Sequence, residues 1–93
     1  MAQEVTVSRN DIVGGIKCCQ RSVEMMESAM KNLEDKYHEA GSRGWQDEKY
    51  KDLGRLIYNC IDTTKKPIGE LKKCEEQLKR LLAAVDNYEK IKL

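Results

Sequence analysis

Four cysteines and one histidine are the residues of this 93-residue chain with the widest chemical repertoire. Cys18 and Cys19 are adjacent, whereas Cys60 and Cys74 stand far along the chain. Their spacing fits no compact zinc pattern, and His38 alone cannot complete a usual Cys/His ligand set. A reactive thiol needs a cationic, exposed setting, which only Cys18 approaches, beside Lys17 and near Arg21. No serine or cysteine has a base placed next to it, and His38 reads as a capping or solvent-facing residue. These residues therefore predict no catalytic group, no cofactor and no metal site. Packed, free thiols are the expectation, and a redox or metal-binding bundle is the weakest of the readings.

The composition points to the same class. The chain is 35% charged and 5% aromatic, with a formal net charge of +1 and no phenylalanine. High Lys/Glu content with few aromatics suits long helices or disorder, and periodicity decides between them. A balanced charge argues against nucleic acid as partner, because counterion release needs a clustered positive face. Lys65-Lys66 and Lys72-Lys73 are the densest basic pairs, but Glu70, Glu75 and Glu76 are interspersed with them. No apolar run approaches the roughly 18 residues of a membrane span, and the start of the chain lacks a signal-peptide core. A protein made in the cytoplasm is expected, with any export by a route that cleaves no signal.

Periodicity is strong. Ile12, Ile16, Cys19, Val23, Met26, Met30, Leu33 and Tyr37 advance by alternating steps of four and three, an a/d stripe without a miss. Ser8 is a suitable N-cap, with Asp11 three residues on and Val7/Ile12 placed as a hydrophobic staple. Helix 1 is thus expected over about 8–40, with fraying expected at Gly14-Gly15 and Gly41 as a left-handed C-cap. A turn over 41–45 follows. Helix 2 is expected over about 46–90, with Asp47 and Glu48 favouring its positive end. Its stripe reads Tyr50, Leu53, Ile57, Cys60/Ile61, Thr64, Ile68, Leu71, Cys74, Leu78, Leu81, Val85 and Tyr88. Pro67 interrupts it, removing one backbone hydrogen bond, and predicts one kinked helix.

Folding back near Arg43 brings the stripes together. Leu33 then faces Leu53, Met30 faces Ile57, Met26 faces Cys60, Ile16 faces Leu71 and Ile12 faces Cys74. Cys19 falls opposite Pro67, so no intrachain cysteine pair is opposed, and an interchain disulfide stays open. The fold class expected is all-α: residues 1–93 form one antiparallel helical hairpin of two long helices. Each helix has one neighbour, and Val13, Cys18, Met25, Ala29, Leu56 and Leu82 widen the apolar face. Such a hairpin is expected to complete a four-helix bundle as a homodimer or as a heterodimer with a related hairpin.

The only tryptophan lies at the turn, in Gly44-Trp45-Gln46-Asp47, followed by Tyr50 and Leu53. On those residues the chain resembles the WXG-motif family, the small Esx-like helical hairpins of bacterial type VII secretion. The likeness covers residues 8–90 in architecture, but its motif is short. It also departs from the family: Asp47 stands where the family carries glycine, and the glycine precedes the tryptophan. The resemblance implies a secreted substrate, or a partner and targeting factor for the helical N-terminal domain of a larger secreted effector. It implies a recognition role for Gly44, Trp45, Asp47 and Tyr50. The family's export tag is a tyrosine followed four residues on by an acid. Here Tyr88 is followed by Lys92, which implies export through a tagged partner. Without the resemblance, the residues describe a cytosolic helical-bundle adaptor or chaperone in which Trp45 plugs the open end of the hairpin.

Overall fold

The computed structural model describes the backbone of residues 2–92 and the side chains of residues 9–88. Two helices account for almost all of it: α1, Ala2–Ser42, and α2, Glu48–Lys92. No strand occurs among the described residues. Helix α1 thus starts ahead of the expected Ser8, which lies inside it. Ala2, Gln3 and Glu4 are good helix formers, and nothing before Ser8 breaks the helix. The side chains of Val7 and Ser8 lie outside the described residues. The helix also runs unbroken through Gly14-Gly15, where fraying was expected. Pro67 sits inside a single α2. No proline N–H is available to the Thr63 carbonyl. The Thr63 and Thr64 hydroxyls donate back to carbonyls one turn earlier, Thr64 to Cys60 at 2.7 Å.

Two compact units divide the chain. The first joins residues up to Val23 with residues from Glu70 onward; the second is Glu24–Gly69. Within each, a stretch of α1 pairs with a stretch of α2.

In the first unit, Ile12, Ile16, Cys19 and Val23 are buried, the four-three-four spacing seen in the sequence. Opposite them Leu71, Glu75, Leu78, Leu82 and Val85 are half-buried. This row differs from the expected stripe by one place at two turns: Glu75 replaces Cys74 and Leu82 replaces Leu81, which is 50% exposed. Tyr88 is exposed too. Glu75 is tolerated because Lys79 binds it at 2.9 Å and Gln20 donates to it at 3.2 Å. Those hydrogen bonds, Lys79 first, hold its carboxyl below the ordinary range despite burial. Arg9 Nε and Asp86 form a cross-helix ion pair at 2.8 Å.

The second unit is an αα-hairpin with Tyr50, Gly54 and Ile57 buried. Its seam runs Met26, Met30, Glu34 and Tyr37 on α1, and Tyr50, Gly54, Ile57, Ile61, Thr64 and Ile68 on α2. Leu53 is half-buried beside it. Leu33 and Cys60, expected in the seam, are exposed; Glu34 and Gly54 take those turns.

The pairing register also departs from the expected one. Gly15 approaches Leu78, and Gln20 meets Glu75, about two helical turns along α2 from the expected level of Leu71. In the second unit Tyr37 packs on Tyr50 and Gly54. Part of the cause is local: α1 persists to Ser42 and α2 opens at Glu48, so the chain folds back about Trp45 and not Arg43. The total shift in the first unit is close to one heptad, so the same apolar face is presented again.

Candidate functional site at the aromatic turn

The turn is built by capping. Gly44, with φ 94°, holds the left-handed position that Gly41 was expected to hold. The Gly44 amide donates to the Gly41 carbonyl at 3.0 Å, and the Trp45 amide donates to the Ala40 carbonyl at 3.3 Å. That pair of bonds is a Schellman motif, with Gly44 at C′ and Trp45 at C″. A C″ residue commonly packs back over the last helical turn, which explains an apolar side chain directly after the glycine. The Gln46 amide donates to the Gly41 carbonyl at 3.1 Å, and the Ser42 hydroxyl donates to the Glu39 carbonyl at 2.8 Å. The Glu39, Ala40 and Gly41 carbonyls near the end of α1 are thereby satisfied.

Asp47 caps the other helix. Its carboxylate accepts the Tyr50 amide at 2.9 Å, and its carbonyl accepts the Lys51 amide at 3.1 Å. This is the N-cap geometry, with Glu48 adding negative charge in the first turn. Asp47 is therefore the N-cap of α2.

Tyr37, His38, Trp45, Tyr50 and Tyr58 gather around this turn. Tyr37 and Tyr50 stack with centroids 4.4 Å apart and planes within 6°. Tyr58 meets Tyr37 edge-on at 5.9 Å, and Trp45 tilts against Tyr50 at 5.6 Å. The Tyr50 hydroxyl donates to the Tyr37 carbonyl at 3.0 Å, tying α2 to α1. Burial first, and then the neighbouring Tyr37, raises the Tyr50 pKa above 10.0. Tyr58 is raised as well, by burial and then by the Glu34 charge. His38 Nε2 lies 3.4 Å from the Tyr58 hydroxyl.

Two glycines make room for these rings. A Cβ at Gly41 would lie 3.0 Å from Tyr50 Cζ, and one at Gly54 would lie 2.5 Å from the Tyr37 hydroxyl. Gly41 is thus a clearance for Tyr50, and the cap falls to Gly44.

Gly44, Trp45, Asp47 and Tyr50 are all brought together here, but their roles differ. Tyr50 is buried, whereas Trp45 is 42% exposed. Tyr58 and His38 were not singled out for this place by the sequence. His38 could have been found because it adjoins Tyr37 near the end of α1, whereas Tyr58 meets Tyr37 only through the observed register. Met26 and Met30 are half-buried in the same unit, and Met25 and Leu56 stand well exposed.

Chemically, the turn offers an aromatic surface with hydroxyl and imidazole edges. Among the described residues no group of three or more His, Cys, Asp or Glu is placed to hold a metal ion. No helix among the described residues is long and apolar enough to cross a membrane. Comparison with protein-family models, with curated protein sequences and with solved structures finds no match for this chain.

Proposed function

We propose that the chain is a binding protein that docks a second helical hairpin, as a partner or targeting factor of the WXG-like secretion kind. The observation that carries this reading is what the hairpin leaves uncovered. In the second unit Met25, Ala29 and Leu33 follow each other by one turn along α1, and Leu56 and Cys60 do so along α2; all five are exposed. Each immediately precedes a seam residue: Met26, Met30, Glu34, Ile57 or Ile61. In antiparallel helices equal angular offsets from the two seams fall on the same side, so the rows form one uncharged flank. It ends near the turn at Lys36 and Lys49. The residues that follow the seam positions, among them Glu27, Lys31 and Asp35 with Asp62 and Lys65, form a charged opposite flank.

Met25 is 72% and Leu56 65% exposed. Contiguous apolar rows of this kind mark interaction surfaces. An antiparallel pair of helices covers one stripe per helix, and a second hairpin laid on the uncharged flank covers the rest, as in a four-helix bundle. Trp45, half-exposed on a capped turn, has the character of an aromatic binding anchor. The resemblance in Gly44-Trp45-Gln46-Asp47 makes the secretion machinery, or an effector carrying a helical domain, the recogniser of that turn. Lys92, four residues after Tyr88, leaves export to a tagged partner. Binding, and not catalysis, is the activity proposed.

Sedimentation equilibrium of the chain, alone and mixed with candidate helical partners, is the test. A helical dimer, or a stoichiometric complex with such a partner, is the expected result. A stable, fully helical monomer that ignores every helical partner refutes the proposal.

A further inference from the structure

We propose that Cys19 and Cys74 form a reversible disulfide that ties α1 to α2 within the first unit. Two contacts bracket the pair. Gly15 lies one turn before Cys19 and Leu78 one turn beyond Cys74, and a Cβ at Gly15 would lie 3.1 Å from Leu78 Cδ1. Gln20 and Glu75, the next residue on each chain segment, are hydrogen-bonded at 3.2 Å. Antiparallel helices that meet at both points bring positions 19 and 74 to one level. The thiols sense each other: burial first, and then hydrogen bonding with Cys74, raises the Cys19 pKa above 9.0. Both cysteines are free thiols in the structure. With no third ligand grouped beside them among the described residues, oxidation is the chemistry this pair carries.

Access sets the order of events. Cys74 is exposed and Cys19 buried. With a small-molecule disulfide as oxidant, the Cys74 thiolate attacks one of its sulfurs, forming a mixed disulfide and expelling one small thiolate. Cys19 then loses its proton and attacks Cys74 Sγ, expelling the second small thiolate. Two protein thiols and one small disulfide become a cross-helix disulfide and two small thiols, which take up the two protons and two electrons. The raised Cys19 pKa keeps its thiolate fraction low, so the second step speeds as pH rises. The closed bond encircles most of α1 and α2, so it restricts the unfolded chain strongly.

The experiment uses the full chain in two forms: wild type, and a Cys18→Ser/Cys60→Ser variant in which only Cys19 and Cys74 can pair. Each is treated with oxidised glutathione, digested with trypsin and mapped by mass spectrometry. In wild type, peptide 18–21 is expected joined to peptide 74–79, with peptide 56–65 left reduced. In the variant the same link is expected, with the midpoint of thermal unfolding raised by on the order of 10 °C and restored by dithiothreitol. A glutathione adduct on Cys74 that never resolves overturns the proposal. So does a covalent dimer as main product, or a wild-type link through Cys60. Fragmentation of the wild-type peptide 18–21, placing the bond on Cys19 and not on Cys18, decides the matter even if the variant folds poorly, and a bond to Cys18 overturns the proposal.

Discussion

Substitution of Gly54 by alanine is the sharpest test of how the turn end is held. In the interior of a helix, alanine is ordinarily favoured over glycine by about 1 kcal/mol. At Gly54 the new methyl would lie 2.5 Å from the Tyr37 hydroxyl oxygen, 2.7 Å from Cζ and 2.9 Å from Cε1. The ring cannot simply swing aside. It is stacked on Tyr50 at 4.4 Å and met edge-on by Tyr58 at 5.9 Å. Overpacking of this kind costs about 1–3 kcal/mol, and disturbing an aromatic pair costs about 0.5–1.5 kcal/mol more. After the propensity gain, a net loss of about 1–3 kcal/mol is expected. Gly14 and Gly69 provide the internal control, since a Cβ at either meets nothing within 4 Å. Gly14→Ala and Gly69→Ala should therefore stabilise by up to about 1 kcal/mol. Thermal unfolding followed by helical circular dichroism reads all three at one protein concentration, which matters if the chain associates. Roughly 4–8 °C per kcal/mol is expected for a domain of this size. If Gly54→Ala raises the midpoint as Gly14→Ala does, Tyr37 does not lie against that backbone and the account of the turn is wrong.

Other outcomes follow from the same contacts. Asp47→Ala removes the acceptor of the Tyr50 amide and should cost about 1 kcal/mol in denaturant unfolding, whereas Asp47→Asn should cost much less. An equal loss from both would mean that charge, and not capping, is what the carboxylate supplies. Because the Tyr50 pKa is raised, the neutral hydroxyl is the stabilising form. Its contribution should be complete below pH 10 and fall away as pH rises through the raised value; stability titrations of Tyr50→Phe should show a shallower alkaline loss. Wild-type and Tyr50→Phe curves of the same slope would remove Tyr50 from that role. Trp45→Ala should leave a helical protein, since a half-exposed turn residue loses less than the roughly 3–5 kcal/mol of a core aromatic. Binding to a helical partner or co-export with it should drop far more, and unfolding of the variant would reduce Trp45 to a structural plug. Met25→Asp and Leu56→Asp should abolish association while sparing helicity, whereas Ile57→Asp should unfold the hairpin by burying a charge. Equal effects from all three in sedimentation and circular dichroism would deny the uncharged flank.

Much of the fold was legible because periodicity is a direct readout of burial. Ile12, Ile16, Cys19 and Val23 recur at four-three-four spacing, and the structure buries all four. A single α2 through Pro67 was legible for a related reason: the stripe carries on past the proline, and one lost hydrogen bond is a small cost against many turns of packing. The turn was legible in composition but not in detail. Gly41 and Gly44 are equally good left-handed caps by type. Only the proximity of the Tyr50 ring assigns Gly41 to clearance and Gly44 to the cap. Such a long-range reason leaves no local trace.

The register was hidden for a deeper reason. A heptad stripe presents the same apolar face after every two turns, so pairings seven residues apart bury similar surfaces and local pattern cannot rank them. What separates them is chemistry at the edges and in the gaps. The observed pairing puts Arg9 beside Asp86, Gln20 beside Glu75 and Leu78 over Gly15. The expected one set Cys19 against Pro67, with no cysteine opposed to another. The four-three pattern also hid which apolar residues enter the seam. Leu33/Glu34 and Leu81/Leu82 both satisfy it, and the helices seat the second of each pair. In the second unit that choice places an acid in the seam and leaves a leucine outside, a poor arrangement for a solitary hairpin. It becomes intelligible if the leucine's side is covered: Leu33 then joins Met25, Ala29, Leu56 and Cys60 in a second seam, while Glu34 lies near the Tyr58 hydroxyl. A residue misplaced for one interface is well placed for two. That is the physical ground for reading this hairpin as half of an assembly.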